Sequence, residues 1–268
     1  MYEKYWGLEV PPFENVPDPR FIYWSSNHEE AYMRLMYAAK GRKGAAMLTG
    51  EVGSGKTTLS RAFVQELAAS NQFDIALIAN PSLPPKEFLQ EILFQFGVGK
   101  IPPEANKTDL LHMLNAHMLQ NMKKNKESLI IIDEAQIIED ERTFEEIRLL
   151  LNFQLNERFL LTLILLGQPE LKEMVEAIKQ LDSRISIKYH LGHLDLKETA
   201  NYILFRLKKA GMQKNVFTKE AIIQVHEHSG GIPRRINNVC DLALLVGYSA
   251  QAKVIDSRLI QKVISDSR

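Results

Sequence analysis

From residue 44 onward, short apolar runs alternate with longer segments in which apolar residues recur every three or four positions. The short runs lie at Ala45 to Thr49, Ile75 to Ala79, Leu129 to Asp133 and Leu160 to Leu166, and a final short strand is placed near Ile187 to Leu191. Runs that are apolar throughout suit strands buried on both faces of a parallel sheet, because a strand with one wet face would alternate. The periodic segments predict helices starting at Lys56, Pro85 and Thr108, one over Glu141 to Asn156, and another after Leu166. Strand and helix in alternation give a doubly wound parallel α/β sheet.

Past Gly192 the pattern is helical only, over Leu196 to Ala210, Thr218 to Ser229, Pro233 to Ala250 and Ser257 to Ser265. Thr218 and Asp256 are helix starts, and Gly211, Gly230 and Gly231 are stops. The beginning of the chain fits neither pattern. Tyr2 to Tyr23 carries Trp6, Phe13, Phe21 and Tyr23 among Pro11, Pro12, Pro17 and Pro19, which predicts an extended, anchored strap rather than a helix. A helix over Asn27 to Ala39 follows, opened by Ser25, Ser26 or Asn27. The chain therefore reads as a strap and helix packed on the core (1–40), an α/β core (41–192) and a small all-α lid (193–268).

Composition narrows the class. A chain of 268 residues can bury a large core and a smaller appendage, and 45% hydrophobic with 25% charged residues is ordinary for a globular protein. No apolar run approaches the roughly 20 residues of a spanning helix. The opening MYEKYWGLEVPPF lacks the basic start and apolar stretch of a secretory leader, so the expectation is a cytoplasmic protein without direct membrane insertion. Cys240, alone in its chain and within a helix-like apolar stretch, reads as a buried, inert thiol. Thirty-three basic residues against 33 acidic ones give no global field for nucleic acid or anionic lipid, although a local basic patch fits inside a balanced total.

The candidate chemistry begins with GEVGSGKT, Gly50 to Thr57, which fits G-x-x-x-x-G-K-[ST] after a buried strand and at the mouth of a helix. Gly50, Gly53 and Gly55 let the backbone curl through Glu51, Val52 and Ser54 so that successive N–H groups face phosphate oxygens, and the helix adds its positive end. Lys56 reaches the β and γ phosphates, Thr57 offers its hydroxyl to magnesium, and Thr58 completes the nucleotide-contacting set. The second element is LIIIDE, a buried strand ending in Asp133 and Glu134. Acids at a strand's carboxyl end face the ligand crevice. Asp133 is positioned to hold magnesium through its water shell, and Glu134 to orient or deprotonate the attacking water. A bland alternative for Glu134 is an acid near a helix start.

With these residues in place, the chain resembles an AAA+ ATPase, a P-loop NTPase whose sheet is followed by a helical lid, and more narrowly the general secretion pathway protein A (ExeA-like) family. The matches are PPF at Pro11 to Phe13, PDPRFIY at Pro17 to Tyr23, His28, GEVGSGKTTL at Gly50 to Leu59 and IIDEAQ at Ile131 to Gln136. LLGQPEL at Leu165 to Leu171, SRI at Ser183 to Ile185 and GGIPRRIN at Gly230 to Asn237 complete the set. The resemblance implies that Gln168 senses the γ phosphate, that Arg184 is an arginine finger acting in a neighbouring subunit of a ring or arc, and that Arg234 couples the lid to the nucleotide, with Arg235 solvated. It also implies that Phe13, Phe21 or Tyr23, with His28 close by, contacts the adenine. For His28, a polar helix-start residue is an equal alternative. Many family members continue into a membrane-spanning helix and a periplasmic wall-binding domain, whereas this sequence stops after the lid.

Two functional classes remain open on the sequence. One is a Mg-ATP-hydrolysing motor or switch for secretion or cell-envelope assembly, recruited to the inner membrane by a partner protein. The other is a DNA-associated ATPase of transposition or replication-initiator type, which predicts salt-sensitive DNA binding. Balanced charge disfavours the second, and the lysines at Lys123, Lys124, Lys126, Lys208 and Lys209 read as solvated helix ends. A helicase would need a second sheet domain, and a small-molecule kinase seldom needs both an adjacent acid and a helical lid.

Overall fold

The structure, a computed structural model, describes residues 1–155 and 158–266. In chain order its helices and strands are α1 (Glu3–Trp6), α2 (Ser26–Lys40), β1 (Ala45–Gly50), α3 (Lys56–Ala69), β2 (Phe73–Ile78), α4 (Pro85–Gln95), α5 (Lys107–Lys123) and β3 (Glu127–Ile132). They continue with α6 (Glu141–Leu150), β4 (Gln154–Leu155), β5 (Arg158–Phe159), β6 (Leu161–Gly167), α7 (Glu170–Ala177), α8 (Lys179–Asp182) and β7 (Ile185–Leu191). The last helices are α9 (Leu196–Lys209), α10 (Lys219–Ser229), α11 (Pro233–Ser249) and α12 (Ser257–Asp266). The chain divides into two compact units, one of residues 29–50 and 59–191, the other of residues 1–28, 51–58 and 192–268.

The first unit is built on a five-stranded sheet of order β2-β3-β6-β1-β7, parallel throughout. Its central strands are buried at nearly every position, which is why they read as unbroken apolar runs. Phe88, Ile92, Leu114, Ile130, Phe144, Leu163 and Leu165 are among the side chains closing its core. After β1 the chain crosses to the β2 side of the sheet, and after β6 it crosses to the β7 side. The carboxyl ends of β1 and β6 therefore flank the topological switch point, where open α/β sheets take their ligands.

One sequence expectation is corrected in this unit. The helix expected over Glu141 to Asn156 ends at Leu150, and a short antiparallel pair, β4 with β5, follows it; Asn156 itself lies outside the described residues. Asp140 caps the helix start by accepting the Arg142 N–H, and the helix buries Phe144, Ile147 and Leu150. Leu151 caps the helix end and stays in the core, and past it Gln154 and Leu155 are exposed in β4 rather than continuing a buried helix face.

The second unit packs α9 to α12 around Ile203, Val225, Ile236, Cys240, Leu244 and Ile260. Capping agrees with the local sequence: Asp195 and Glu198 form a reciprocal capping box on α9, and Thr218 caps α10. Gly230 ends α10 in the left-handed conformation. The strap, expected to pack on the ATPase core, is anchored on these helices. Trp6 donates its indole N–H to the Leu244 carbonyl at 2.9 Å, and Phe13 meets the Phe217 ring edge-on at 6.3 Å. It is also not extended throughout. Glu3–Trp6 makes one helical turn before the first proline, ended by left-handed Gly7, and Pro19–Phe21 makes a 3₁₀ turn capped by Asp18.

Candidate functional site

The loop that leaves β1 is shaped by its glycines and by two outside anchors. Gly53 and Gly55 take φ of 83° and 104°, values open to glycine and strained for other residues. A Cβ on Gly53 would collide with the Arg234 side chain, and one on Gly55 would stand 2.8 Å from His28 Nε2. The Gly53 carbonyl accepts the Arg234 N–H at 3.2 Å, and the Ser54 carbonyl accepts from His28 Nε2 at 3.1 Å. Within the loop, the Glu51 carbonyl accepts both the Ser54 N–H and the Lys56 Nζ, each at 3.1 Å. Lys56 is buried where α3 begins, Thr57 and Thr58 are half-buried behind it, and Glu51 and Val52 are exposed.

This donor set suits an anion. An ammonium, a helix N-terminus and a glycine-rich run of amides all favour negative charge. The Ser54 hydroxyl is fully buried and has no partner among the described residues, which leaves one polar group for a ligand to satisfy. Thr57 adds a hydroxyl oxygen of the kind a small hard cation takes. The residues therefore fit a polyphosphate with a divalent metal.

On the sheet unit, β3 ends with a second arrangement. The Asp133 N–H continues the ladder to the Ile78 carbonyl at 2.9 Å, and Asp133 is 6% exposed. Its Oδ1 accepts the Glu134 N–H at 3.0 Å, while Glu134 stands in the left-handed region at φ 51° and ψ 39°. Gln136 then joins Glu134 to Gln168. Its Nε2 donates to Glu134 Oε2 at 2.6 Å, and its Oε1 accepts the Gln168 N–H at 3.0 Å. Gln168 Nε2 reaches the same Glu134 oxygen at 3.4 Å. The close approach needs Gly167 at the end of β6, since a Cβ there would lie 2.8 Å from Gln136 Oε1.

Comparison with known proteins gives this geometry a family. Residues 39–175, just over half of the chain, match the AAA domain family. This chain belongs to the AAA+ ATPase family. It is 39% identical over 251 residues to General secretion pathway protein A of Aeromonas hydrophila, a match that covers 93% of this chain and 45% of that protein. The chain thus spans less than half the length of that relative. Among solved structures, the Aeropyrum pernix ORC2 protein in ADPNP-ADP complexes superposes with a TM-score of 0.68 at 23% identity, covering 94% of this chain and 72% of that one. Cdc6p from Pyrobaculum aerophilum gives 0.73 at 14% identity, with 93% and 70% covered. These two likenesses concern the fold.

The remaining residues singled out from the sequence fall in different places in the ATPase. Arg184 precedes β7 at the amino edge of the sheet, where Ile185 pairs with Ala45, and its Nη1 donates to the Leu151 carbonyl at 3.0 Å. Glu134 follows β3 at the carboxyl edge. Strand rise and spacing put the two about 20 Å apart, beyond the reach of an arginine side chain. Arg234 and Arg235 are both exposed in the first turn of α11. Phe13 is 2% exposed in the helical core and so offers no ring face to a base. Phe21 lies under the Arg206 guanidinium at 5.0 Å, and Tyr23 packs against Tyr202 and Phe205. Cys240 is buried, and burial raises its thiol pKa well above the ordinary value, as an inert thiol requires. Among the described residues, no helix is long and apolar enough to cross a membrane.

Sequence reasoning missed Gln136, which stood in plain view in DEAQ as the residue two past the acid. It also missed Arg206, whose guanidinium is buried and donates to the Pro12 carbonyl at 2.6 Å, the Glu14 carbonyl at 3.0 Å and the Tyr202 hydroxyl at 2.8 Å.

Proposed function

We propose that this AAA+ ATPase binds and hydrolyses Mg-ATP at the loop Gly50 to Thr57 and uses the resulting conformational change to drive a secretion or cell-envelope assembly system. The observation that carries the reading is the common sheet edge: β1 ends at Gly50, from which the phosphate-binding loop continues, and β3 is followed by Asp133 and Glu134 at the same edge. In this reading the loop amides and Lys56 hold the β and γ phosphates. Thr57 on the loop and Asp133 after β3 are the residues that would hold a magnesium ion, which when bound would neutralise charge developing on the phosphate oxygens. Glu134 orients the attacking water and accepts its proton, and Gln136 and Gln168 fix the carboxylate that does so. Arg234 carries the nucleotide state into α11. Arg184, too far from its own chain's Glu134, serves the site of a second copy, so the working form is an oligomer. The secretion assignment draws on the likeness to General secretion pathway protein A and on the motifs shared with that family. The protein would then work from the cytoplasm, brought to the inner membrane by its partner.

ATPase assays of the wild type, Lys56→Ala and Glu134→Gln, with sizing in each nucleotide state, test this. Lys56→Ala is expected to lose nucleotide binding. Glu134→Gln is expected to keep it while turnover falls by about a hundredfold or more. Wild-type turnover in Glu134→Gln would falsify the assignment of the catalytic acid. Filter binding with duplex DNA at near-physiological salt separates the functional classes, since tight, nucleotide-dependent retention favours a DNA-associated ATPase.

A further inference from the structure

We propose that His28 is a positioning residue of the phosphate-binding loop: as the neutral Nε2–H tautomer it pins the Ser54 carbonyl and so turns the Gly55 N–H toward the phosphates. The inference rests on reading Gly50 to Thr57 as the nucleotide site.

Hydrogen-bond polarity fixes the tautomer. A backbone carbonyl only accepts, so the 3.1 Å contact from His28 Nε2 to the Ser54 oxygen requires a proton on Nε2. On the other side of the ring, Ser25 Oγ lies 2.7 Å from Nδ1 and also accepts the His28 N–H at 3.3 Å. With Nε2 protonated, Nδ1 is an acceptor, and the Ser25 hydroxyl donates to it. The ring is 5% exposed, and burial opposes the second proton that would make it a cation. A neutral, doubly anchored imidazole is the result.

The consequence for the loop follows from peptide geometry. Among the described residues there are no cis peptide bonds, and in a trans peptide the carbonyl and the next N–H point in opposite directions. Tying the Ser54 carbonyl to His28 therefore aims the Gly55 N–H away from the ring. The same close contact explains why position 55 is glycine, because a Cβ there would stand 2.8 Å from Nε2. Next to this peptide lies the buried Ser54 hydroxyl without a partner among the described residues, an independent sign that a polar ligand belongs here. His28 thus contacts neither adenine nor phosphate. It holds one of the donors that do.

Replacement by asparagine and by glutamine tests this. A glutamine amide can place an N–H near the Nε2 position, whereas an asparagine amide mimics Nδ1 and falls short of Ser54. ADP titration is expected to show His28→Asn about tenfold weaker than wild type, the worth of one hydrogen bond. His28→Gln is expected to bind within about threefold of wild type. KM for ATP should follow the ADP affinities, with kcat at saturation nearly unchanged, because the ring touches no reacting atom. Equal ADP affinity in all three proteins overturns the proposal. So does equal loss in both variants, which would assign the effect to ring packing. Nitrogen chemical shifts of the His28 ring in the wild-type protein, assigned by through-bond correlation within that protein, do not depend on a variant's folding. They should report the Nε2–H tautomer at neutral pH, and an Nδ1–H tautomer overturns the proposal. Lys56→Ala, titrated alongside, separates the two claims. If it retains ADP affinity, the nucleotide-site reading fails; if it loses ADP while His28→Asn does not, only the role of His28 fails.

Discussion

At Glu134 the backbone and the chemistry make opposite demands. A side chain with a Cβ in the left-handed region costs about 1–2 kcal/mol, and such strain persists where surrounding bonds over-determine it. Those bonds are the Glu134 N–H to Asp133 and the carboxylate to Gln136. Glu134→Gly is therefore expected to be about 1 kcal/mol more stable than Glu134→Ala, with neither variant turning over ATP. Urea unfolding of the pair measures it, and equal stabilities would remove strain from the account. Gln136→Ala leaves the Gln168 N–H without its acceptor and is expected to cost about 1–3 kcal/mol together with a loss of turnover. His28 supplies a pH dependence. Burial holds its pKa below the ordinary 6.5, so just below pH 6.5 the unfolded chain binds a proton that the folded chain does not. Its contribution is intact above 6.5 and is lost on acidification, with a slope approaching about 1.4 kcal/mol per pH unit until the folded value is reached. The Glu198 carboxylate and the bond to Ser54 favour the proton but do not overcome burial. The stability advantage of wild type over His28→Gln should shrink from pH 6.5 to 5. Asp18, Glu30, Asp140 and Glu145, each held low by its hydrogen-bonded arginine, titrate below that window. A pH-independent difference would place the ring's proton equilibrium outside the fold.

The strap shows how one side chain can hold an element that has little regular structure of its own. Arg206 on α9 ties together the carbonyls of Pro12 and Glu14, and its guanidinium faces the rings of Phe21 and Tyr202. Lysine has a single point of donation and no planar fork, so it cannot reproduce this. Arg206→Met should cost about 3 kcal/mol through two stranded acceptors. Trypsin should then cut after Lys4 and Arg20 at least several-fold faster than in wild type, and an unchanged cleavage rate would show that the aromatic anchors alone secure the strap. Arg206 escaped the sequence reading because it sits in the last turn of α9 beside Lys208 and Lys209, where a base normally meets solvent and the helix dipole. The sheet strands were legible because burial on both faces leaves an unbroken apolar signature, and the four last helices because Thr218, Gly230 and Pro233 mark their ends. The β4–β5 pair left no such mark, being two residues long on each side and not buried. Glu134 and Gln168 could be named from their motifs. The amide that joins them could not, because Gln136 acts through a side-chain geometry that only the turn Ala135–Ile137 creates.

At the scale of the molecule, the separation of Arg184 from Glu134 turns a motif into a statement about assembly. The two residues stand at opposite edges of one parallel sheet, and β7 with its neighbours fixes that separation. An arginine that stabilises the transition state must approach the γ phosphate, so if Arg184 is that residue, as proposed above, it would have to come from a second copy. Arg184→Ala should then lower turnover by about a thousandfold while leaving ADP affinity unchanged, since the finger acts on the reaction and not on the loop. Complementation is the sharper test. Arg184→Ala retains a complete Glu134, Glu134→Gln retains a complete Arg184, and each alone is inactive. Mixed in equal amounts, they should recover roughly a quarter of the wild-type rate, the share of interfaces at which an intact acid faces an intact finger under random mixing. Recovery should rise with total protein concentration and vanish on dilution to monomers. A mixture that stays inactive although the variants co-assemble, or wild-type turnover that persists in a proven monomer, would place the activating charge within the chain and require a residue other than Arg184 to supply it.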